Sequence, residues 1–224
     1  MLQSRRYYIP SLETVPASEK ILGSFDVDHM ELETLLFQTG YLTLKSVQKT
    51  AGINRFCLGY PNQEVKQGLT DSLLSSLTGT VVEAENAKLS VYDALVANDL
   101  DGLMDISQAF FASIPHDWYR KNQLAGYEGY YASIVYCYFA ALGLDVHPEE
   151  PTNKGRIDLT LRFQDRVYLI EFKVVELTDQ TKAIEQIKSK GYAEKFAGRE
   201  VYLIGVEFSS EERNVVGFEW EKRA

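Results

Sequence analysis

The sequence predicts an α/β protein in which one mixed β-sheet is flanked by helices and preceded by a small α+β module. Two stretches with period-two alternation run from 155 to 175 around a short turn, and a helical segment that is apolar on nearly every face precedes them at about 125–142. A helical pattern and two further strand patterns follow. This order of helix, strand, hairpin, helix, strand, strand is typical of one mixed sheet with helices packed on it.

Length and composition set the first limits on function. The 224 residues include 23 basic and 32 acidic side chains, which gives a net charge of −9. This acidic balance excludes a protein that coats nucleic acid through overall positive charge, so any nucleic-acid contact must be local or delivered by a partner. No apolar run approaches the roughly 18 residues of a membrane helix and the first residues have no signal-peptide core, so we expect a cytoplasmic protein without membrane contact.

Residues 1–82 predict the small α+β module. Residues 1–25 are punctuated by proline and serine and predict an irregular lead-in, and a helix follows at about 30–37. Short strands at 41–44 and 55–60 enclose a polar loop, and a second helix comes next. Helix, hairpin and helix are compatible with a winged-helix-like module that docks on DNA or with a structural linker domain. The few basic residues of the hairpin favour the linker, because a DNA-contacting wing needs partners for phosphate.

Residues 83–224 predict the domain that contains the sheet. Two helical patterns come first and are joined by a short bridge, which predicts antiparallel neighbours. The helix at 125–142 should be mostly buried, and Glu128 is its single charge. That carboxylate either stabilises the helix N-terminus or supplies an acidic group to a functional site. A short strand at 144–147 and a polar loop at 149–155 then lead into the hairpin.

The hairpin carries the candidate chemistry. Alternation places Ile157 and Leu159 on one face of its first strand and Asp158 on the other. In the second strand, Glu171 and Lys173 point to the same side of an otherwise apolar stretch. Such charges in an apolar strand predict either a site or a solvated sheet face in a purely structural domain.

The turn between the two strands fixes which residues are opposed. If the loop is symmetric about Gln164–Asp165, paired residues sum to 329, and Asp158 faces Glu171. Directly opposed side chains have Cβ atoms about 4.5–5.5 Å apart, a distance at which two like charges are destabilising unless something lies between them. A divalent cation would satisfy both carboxylates, and their hard oxygen atoms suit Mg²⁺ or Mn²⁺.

The helix after the hairpin carries polar side chains near this proposed site. Gln186 lies on one of its faces together with Lys182 and Lys190. A lysine-bearing helix is often only a solvated face, but this one directly follows the strand with Glu171, so it could also line a path for phosphate.

Taken in order, these features resemble the PD-(D/E)XK nuclease-like superfamily, whose fold is restriction-endonuclease-like. The stretches Leu35-Leu36-Phe37-Gln38-Thr39-Gly40-Tyr41-Leu42 and Leu58-Gly59-Tyr60-Pro61-Asn62-Gln63-Glu64-Val65 resemble the segment that follows the ATPase in bacterial AAA-ATPase-like proteins. Their C-terminal nuclease-like region resembles the stretches Gly155-Arg156-Ile157-Asp158, Tyr168-Leu169-Ile170-Glu171-Phe172-Lys173, Ala183-Ile184-Glu185-Gln186-Ile187-Lys188-Ser189-Lys190-Gly191-Tyr192 and Leu203-Ile204-Gly205-Val206. The phosphate-binding stretch of the ATPase is absent from this sequence, so ATP binding is not implied.

The resemblance implies a role for each matching position. Asp158 and Glu171 would be metal ligands, and Lys173 would position or activate the attacking water or neutralise charge at the phosphate. Glu128 matches the acid of the upstream helix, and Gln186 matches a polar position that faces the site. The implied function is Mg²⁺- or Mn²⁺-dependent hydrolysis of DNA with low intrinsic affinity, beside an ATPase domain or partner. The alternative is an inactive nuclease-like fold that acts as a nucleic-acid-binding, regulatory or oligomerisation module.

Overall fold

The computed structural model describes residues 12–23, 32–50, 53–78, 82–114, 128–177 and 181–223. The elements in chain order are β1 (Val15–Ser18), α1 (Glu19–Leu22), α2 (Leu32–Gln38), β2 (Thr43–Thr50), β3 (Ile53–Gly59), α3 (Gln63–Thr78), α4 (Val82–Ala97), α5 (Leu100–Ser113), α6 (Glu128–Ala141), β4 (Asp145–Thr152), β5 (Gly155–Phe163), β6 (Arg166–Val174), α7 (Ala183–Lys190), a 3₁₀ helix (Tyr192–Phe196), β7 (Glu200–Ser209) and β8 (Asn214–Arg223).

The larger sheet has five strands in the order β4-β5-β6-β7-β8. Strands β6 and β7 are parallel and the other neighbours are antiparallel. The parallel pair needs a crossover connection, which α7 and the 3₁₀ helix provide. The predicted mixed sheet with flanking helices is therefore confirmed, and its architecture is consistent with a restriction-endonuclease-like fold.

Two hydrophobic cores cover the two faces of this sheet. The larger core contains Tyr168, Ile170, Phe172 and Val174 of β6 together with the buried helix α6. The smaller core contains the opposite side chains of β6 with α7, the 3₁₀ helix and β7, and its members are Ile157, Val167, Leu169, Ile184, Ile187, Tyr192, Phe196, Val201 and Leu203. The alternation predicted for β6 is confirmed, so Glu171 and Lys173 share the side of α7.

The N-terminal module has the predicted order of helix, hairpin and helix, with one addition. Strand β1 pairs with β3 and completes a three-stranded sheet, so the expectation of an irregular lead-in is wrong at 15–18. Pro16 obscured this strand in the sequence, although a proline is tolerated at a sheet edge, where its missing N–H is not needed. The strands β2 and β3 also extend into the predicted polar loop.

Helix α3 packs against α6, and one continuous core includes residues on both sides of position 82. Leu58 and Tyr60 of the module belong to this core with Ile134 and Tyr136 of α6. The division into domains at 1–82 and 83–224 stays a prediction.

Strand β4 is longer than the sequence predicts. The expected polar loop at 149–155 is wrong, because β4 continues to Thr152 and pairs with β5 up to Gly155. Pro148 and Pro151 suggested a loop, but β4 is an edge strand, which accepts proline. Among the described helices, none combines the length and the apolar character needed to cross a membrane.

Candidate metal centre

The register of the β5–β6 hairpin agrees with the arithmetic of its turn. Pairs run from Phe163 with Arg166 to Leu159 with Ile170, and each sums to 329, so the predicted register is confirmed. Gln164 adopts a left-handed conformation with φ of 55°, which lets a two-residue turn close without glycine.

The regular pairing of β5 with β6 ends at Leu159, so it does not include the neighbouring Asp158. The prediction that Ile157 and Leu159 share a face is wrong, because Leu159 belongs to the α6 core and Ile157 to the α7 core. On the other side of β5, the pairing of β4 with β5 skips Glu149 and Asp158. Glu149 has a φ of 48°. The strand is thus irregular at Asp158, and alternation cannot reveal such a distortion.

This irregularity changes how Asp158 meets β6. Asp158 and Glu171 do not form the regular cross-strand pair that the sequence predicts. The Asp158 carboxylate instead accepts a hydrogen bond from the backbone N–H of Phe172, with 2.9 Å between Oδ2 and N. Asp158 therefore lies in the layer of the sheet, next to the residue that follows Glu171.

Glu171 is the most enclosed charged group of the site. The residue is 2% exposed, and Gln186 of α7 donates a hydrogen bond to its Oε1. Its Oε2 is buried and has no hydrogen-bond partner in the described part of the chain. The pKa of Glu171 is raised to about 8, first by burial and then by the negative charge of Asp158. Gln186 and Lys173 make smaller contributions that lower this pKa.

Lys173 lies two residues further along the same face of β6 and is also buried. Its ammonium group donates a hydrogen bond to the carbonyl of Thr181, just before α7. Its positive charge lowers the pKa of Glu171, so the two groups interact electrostatically. The site thus contains two carboxylates, an amide and an ammonium group.

Two residues of β7 that sequence reasoning missed position α7 over Glu171. Gly205 pairs with Glu171, and a Cβ built on it would lie 2.3 Å from the backbone nitrogen of Ile184. Glu207 accepts a hydrogen bond from the backbone N–H of Ala183 at 3.3 Å. The close approach at Gly205 brings Gln186 to the site. A glycine in an apolar strand was the available signal, since it marks close approach of another backbone.

Tyr192, at the start of the 3₁₀ helix, lies in a stretch that resembles the superfamily, but the sequence predicts no role for it. Its ring is buried in the smaller core, beside Ile157 and Ile187. Burial, followed by the charges of Glu171 and Asp158, raises its pKa. The phenol therefore lies within electrostatic reach of both carboxylates.

Glu128 begins helix α6, but its side chain lies outside the described residues, so its predicted role is not addressed. The roles of Asp158, Glu171, Lys173 and Gln186 also stay predictions, although the structure brings these four side chains together. In the parts of the chain that the structure describes, no group of three or more histidine, cysteine, aspartate or glutamate side chains could hold a metal ion.

The predicted lysine face of α7 is partly neutralised. Lys182 forms an ion pair with Glu219, and Lys188 forms one with Glu221, so β8 supplies acidic partners to this helix. Lys190 is exposed. Of the two interpretations of this helix, these contacts favour a solvated face over a phosphate path.

The site residues fit a divalent cation. The Oε2 of Glu171 is enclosed and has no hydrogen-bond partner among the described residues, so a cation bound there would displace no protein donor. Asp158 contributes a second carboxylate at the same place. Oxygen ligands of this kind, completed by water and substrate phosphate, are what Mg²⁺ and Mn²⁺ accept.

Comparison with known proteins bears on the fold of this chain. A family model of the PD-(D/E)XK nuclease superfamily matches residues 126–218. An uncharacterized protein in the vnfD 5′ region of Azotobacter chroococcum mcd 1 is 50% identical over 220 residues, which cover 97% of this chain. The chain spans 43% of the length of that relative. No solved structure matches the chain. Residues 126–218 are thus similar to the PD-(D/E)XK nuclease superfamily, and the five-stranded mixed sheet is consistent with its fold.

Proposed function

We propose that this chain hydrolyses phosphodiester bonds of DNA at the Asp158–Glu171 site with Mg²⁺ or Mn²⁺. The observation that carries the proposal is the buried carboxylate pair, in which Glu171 keeps one enclosed oxygen without a partner. A buried charge is normally paired or coordinated to metal, because desolvation otherwise makes it costly. Lys173 on the same face supplies the third element of the superfamily pattern.

Asp158 and Glu171 would hold the ion. When bound, the ion would act as a Lewis acid on the phosphate and make water more acidic. Gln186 holds the Glu171 carboxylate through its hydrogen bond and so restrains its rotation. This is the kind of outer contact that fixes a metal ligand in place.

Lys173 carries the positive charge of the site. Its ammonium group is held by the hydrogen bond to the Thr181 carbonyl, so its position is set before substrate arrives. A fixed cation there would stabilise the negative charge that develops on the phosphate during hydrolysis. Glu128 is proposed as an additional acid from α6.

The acidic chain needs help to hold a polyanion. With a net charge of −9, it should bind DNA weakly alone, and its affinity should fall further with salt. We therefore propose that an AAA-ATPase-like domain or partner delivers the DNA. The greater length of the Azotobacter relative leaves room for such a domain in that protein.

A cleavage assay tests the proposal directly. Plasmid and single-stranded DNA are incubated with the chain and millimolar Mn²⁺ or Mg²⁺, together with the variants Asp158→Ala and Lys173→Ala. We expect metal-dependent cleavage that falls by at least about a hundred-fold in both variants, since each removes charge stabilisation worth several kcal/mol. Asp165→Ala and Lys190→Ala make the same changes of charge at exposed positions and should keep activity.

Three other outcomes separate the alternatives. Cleavage that persists in Asp158→Ala would contradict the proposed site. Metal binding without cleavage in the unaltered chain would instead support an inactive nuclease-like binding or regulatory module. Absence of metal binding at millimolar concentration, measured by calorimetry, would exclude the metal centre itself.

A further inference from the structure

The Tyr192 ring lies on the side of the sheet opposite α6, the side to which Glu171 points. Its ring packs among Ile157, Ile187 and their neighbours, and the residue is 4% exposed. Ile157 directly precedes Asp158, and Ile187 directly follows Gln186. The ring is therefore fixed between the two chain segments that carry the site.

The hydroxyl end of Tyr192 occupies space that Gly155 leaves open. A Cβ built on Gly155 would lie 2.9 Å from the hydroxyl oxygen, and Gly155 has φ of 144°, which side chains rarely adopt. Gly155 begins the strand in which Asp158 follows three residues later. A glycine at this position thus lets the hydroxyl lie against the backbone of the strand that carries the first metal ligand.

Within the described residues, no protein acceptor takes the hydroxyl proton of Tyr192. Among the described hydrogen bonds, none involves the Tyr192 hydroxyl, and this oxygen does not belong to the fully enclosed, unpartnered polar atoms. It must therefore face solvent, although the ring behind it is buried. Tyrosine hydroxyls usually have a partner when the ring is buried, so this donor is available to a ligand that enters the site.

Further contacts hold the 3₁₀ helix against the β4–β5 hairpin. The Lys154 ammonium lies 2.8 Å from Glu194, and the Lys195 ammonium donates a hydrogen bond to the Pro151 carbonyl at 2.9 Å. Glu194 and Lys195 follow Tyr192 by two and three residues, so these contacts restrain the backbone just after it. The donor is thus preorganised, which limits the entropy lost when a ligand binds.

We propose that Tyr192 is a further substrate-binding residue, whose hydroxyl donates a hydrogen bond to a phosphate oxygen of the nucleic acid held at Asp158 and Glu171. This inference rests on the proposed function. A phenol is protonated at neutral pH, so it acts as a donor, and a phosphate oxygen is the acceptor that the substrate brings. Because the donor is neutral, it adds no charge that would compete with the metal ion for the two carboxylates.

The substitution Tyr192→Phe tests this role, because it keeps the buried ring and removes only the hydroxyl. Binding is measured by fluorescence anisotropy of a labelled DNA duplex with Mn²⁺ in the Lys173→Ala background, in which the DNA should stay intact. We expect about ten-fold weaker binding, and about ten- to a hundred-fold slower single-turnover cleavage when Lys173 is present, as for loss of one hydrogen bond to a charged acceptor. Mn²⁺ affinity, measured by calorimetry, should not change.

Tyr168→Phe is the matched control. It removes a hydroxyl from β6 on the opposite face, where Tyr168 donates to Asn98 at 2.8 Å, and it should leave DNA binding and cleavage unaltered. Equal DNA binding with and without the Tyr192 hydroxyl would overturn the inference, and so would a parallel loss of Mn²⁺ affinity, which indicates a structural role.

The two proposals fail differently. If the unaltered chain binds DNA with Mn²⁺ but does not cut it, hydrolysis is excluded, and the anisotropy comparison still decides the role of Tyr192. If Mn²⁺ promotes no DNA binding at all, both proposals are overturned.

Discussion

Two buried glutamates on the same side of the sheet have opposite electrostatic surroundings. Glu150 of β4 is 8% exposed and accepts hydrogen bonds at 2.7 Å from both Arg162 and Lys195. Burial raises its pKa, but the hydrogen bond and charge of Lys195 and the charge of Arg162 outweigh burial, and the net shift is downward. Glu171 has an amide and a second carboxylate as neighbours, and its pKa is raised.

Both glutamates are buried, and direct contact with cations distinguishes the structural carboxylate Glu150 from the candidate ligand Glu171. Each glutamate has one enclosed oxygen without a hydrogen-bond partner in the described chain, so the unpartnered oxygen alone does not separate them. Glu150 has two cations of the protein in direct contact. In the described part of the chain, Glu171 has no cation in direct contact, and its Oε1 accepts a hydrogen bond from the neutral amide of Gln186.

The largest expected effect is stabilisation by metal at Glu171. If Mn²⁺ supplies the missing charge, a concentration of 100 times Kd should stabilise the chain by about 2.7 kcal/mol. Glu171→Gln should abolish this gain, whereas Glu150→Gln should keep it. Urea unfolding with and without Mn²⁺ measures the stabilisation of both variants. Equal stabilisation of the two would contradict the assignment of the ion to Glu171.

The next effect is the loss of stability when Glu150 is neutralised. Glu150→Gln should destabilise the metal-free chain by about 2 kcal/mol, because Arg162 and Lys195 would lose their shared carboxylate while both remain partly exposed to water. Glu171→Gln should cost less than about 1 kcal/mol without metal, since its pKa already favours the neutral form. Urea unfolding at pH 7 without metal measures the loss of stability in both variants. A larger loss in Glu171→Gln than in Glu150→Gln would contradict a structural role for Glu150 alone.

The smallest effect is the pH dependence. A raised pKa means that folded Glu171 keeps its proton above the unfolded value, so between that value and pH 8 the folded state binds more protons and stability falls as pH rises. The decline should not exceed about 1.4 kcal/mol per pH unit for this one group.

Glu171→Gln should remove this decline between pH 6 and 7.5 in metal-free urea unfolding, and Glu150→Gln should keep it. Glu150 has the opposite sign, because its lowered pKa stabilises the fold above the unfolded pKa and that stability is lost as the pH falls. A decline that survives in Glu171→Gln would assign the titration to another group.

The features of the site that are local in sequence could be predicted from it. The turn at Gln164–Asp165 fixed the register of β5 and β6, and alternation placed Glu171 and Lys173 on one face. Both depend only on residues within the hairpin, where a period of two is a strong restraint. The fold class followed from the order of such elements.

Features that depend on distant partners could not be predicted. Strand β1 needs β3 as its neighbour, and the irregularity at Asp158 depends on how β4 and β5 pair around Glu149. The contact of Glu150 with Lys195 joins residues 45 positions apart. The position of the Tyr192 hydroxyl could not be predicted either, because no local sequence pattern shows which residues a buried tyrosine contacts.

The hydrogen bonds of the carboxylate pair also bear on the coordination number of an ion. Asp158 already uses Oδ2 for the Phe172 N–H, and Glu171 uses Oε1 for Gln186. If either carboxylate chelated an ion through both oxygens, it would compete with these donors. We therefore expect low denticity, with much of the coordination shell left to water and phosphate. This suits octahedral Mg²⁺ better than Ca²⁺, which takes about six to eight oxygen ligands in looser geometry.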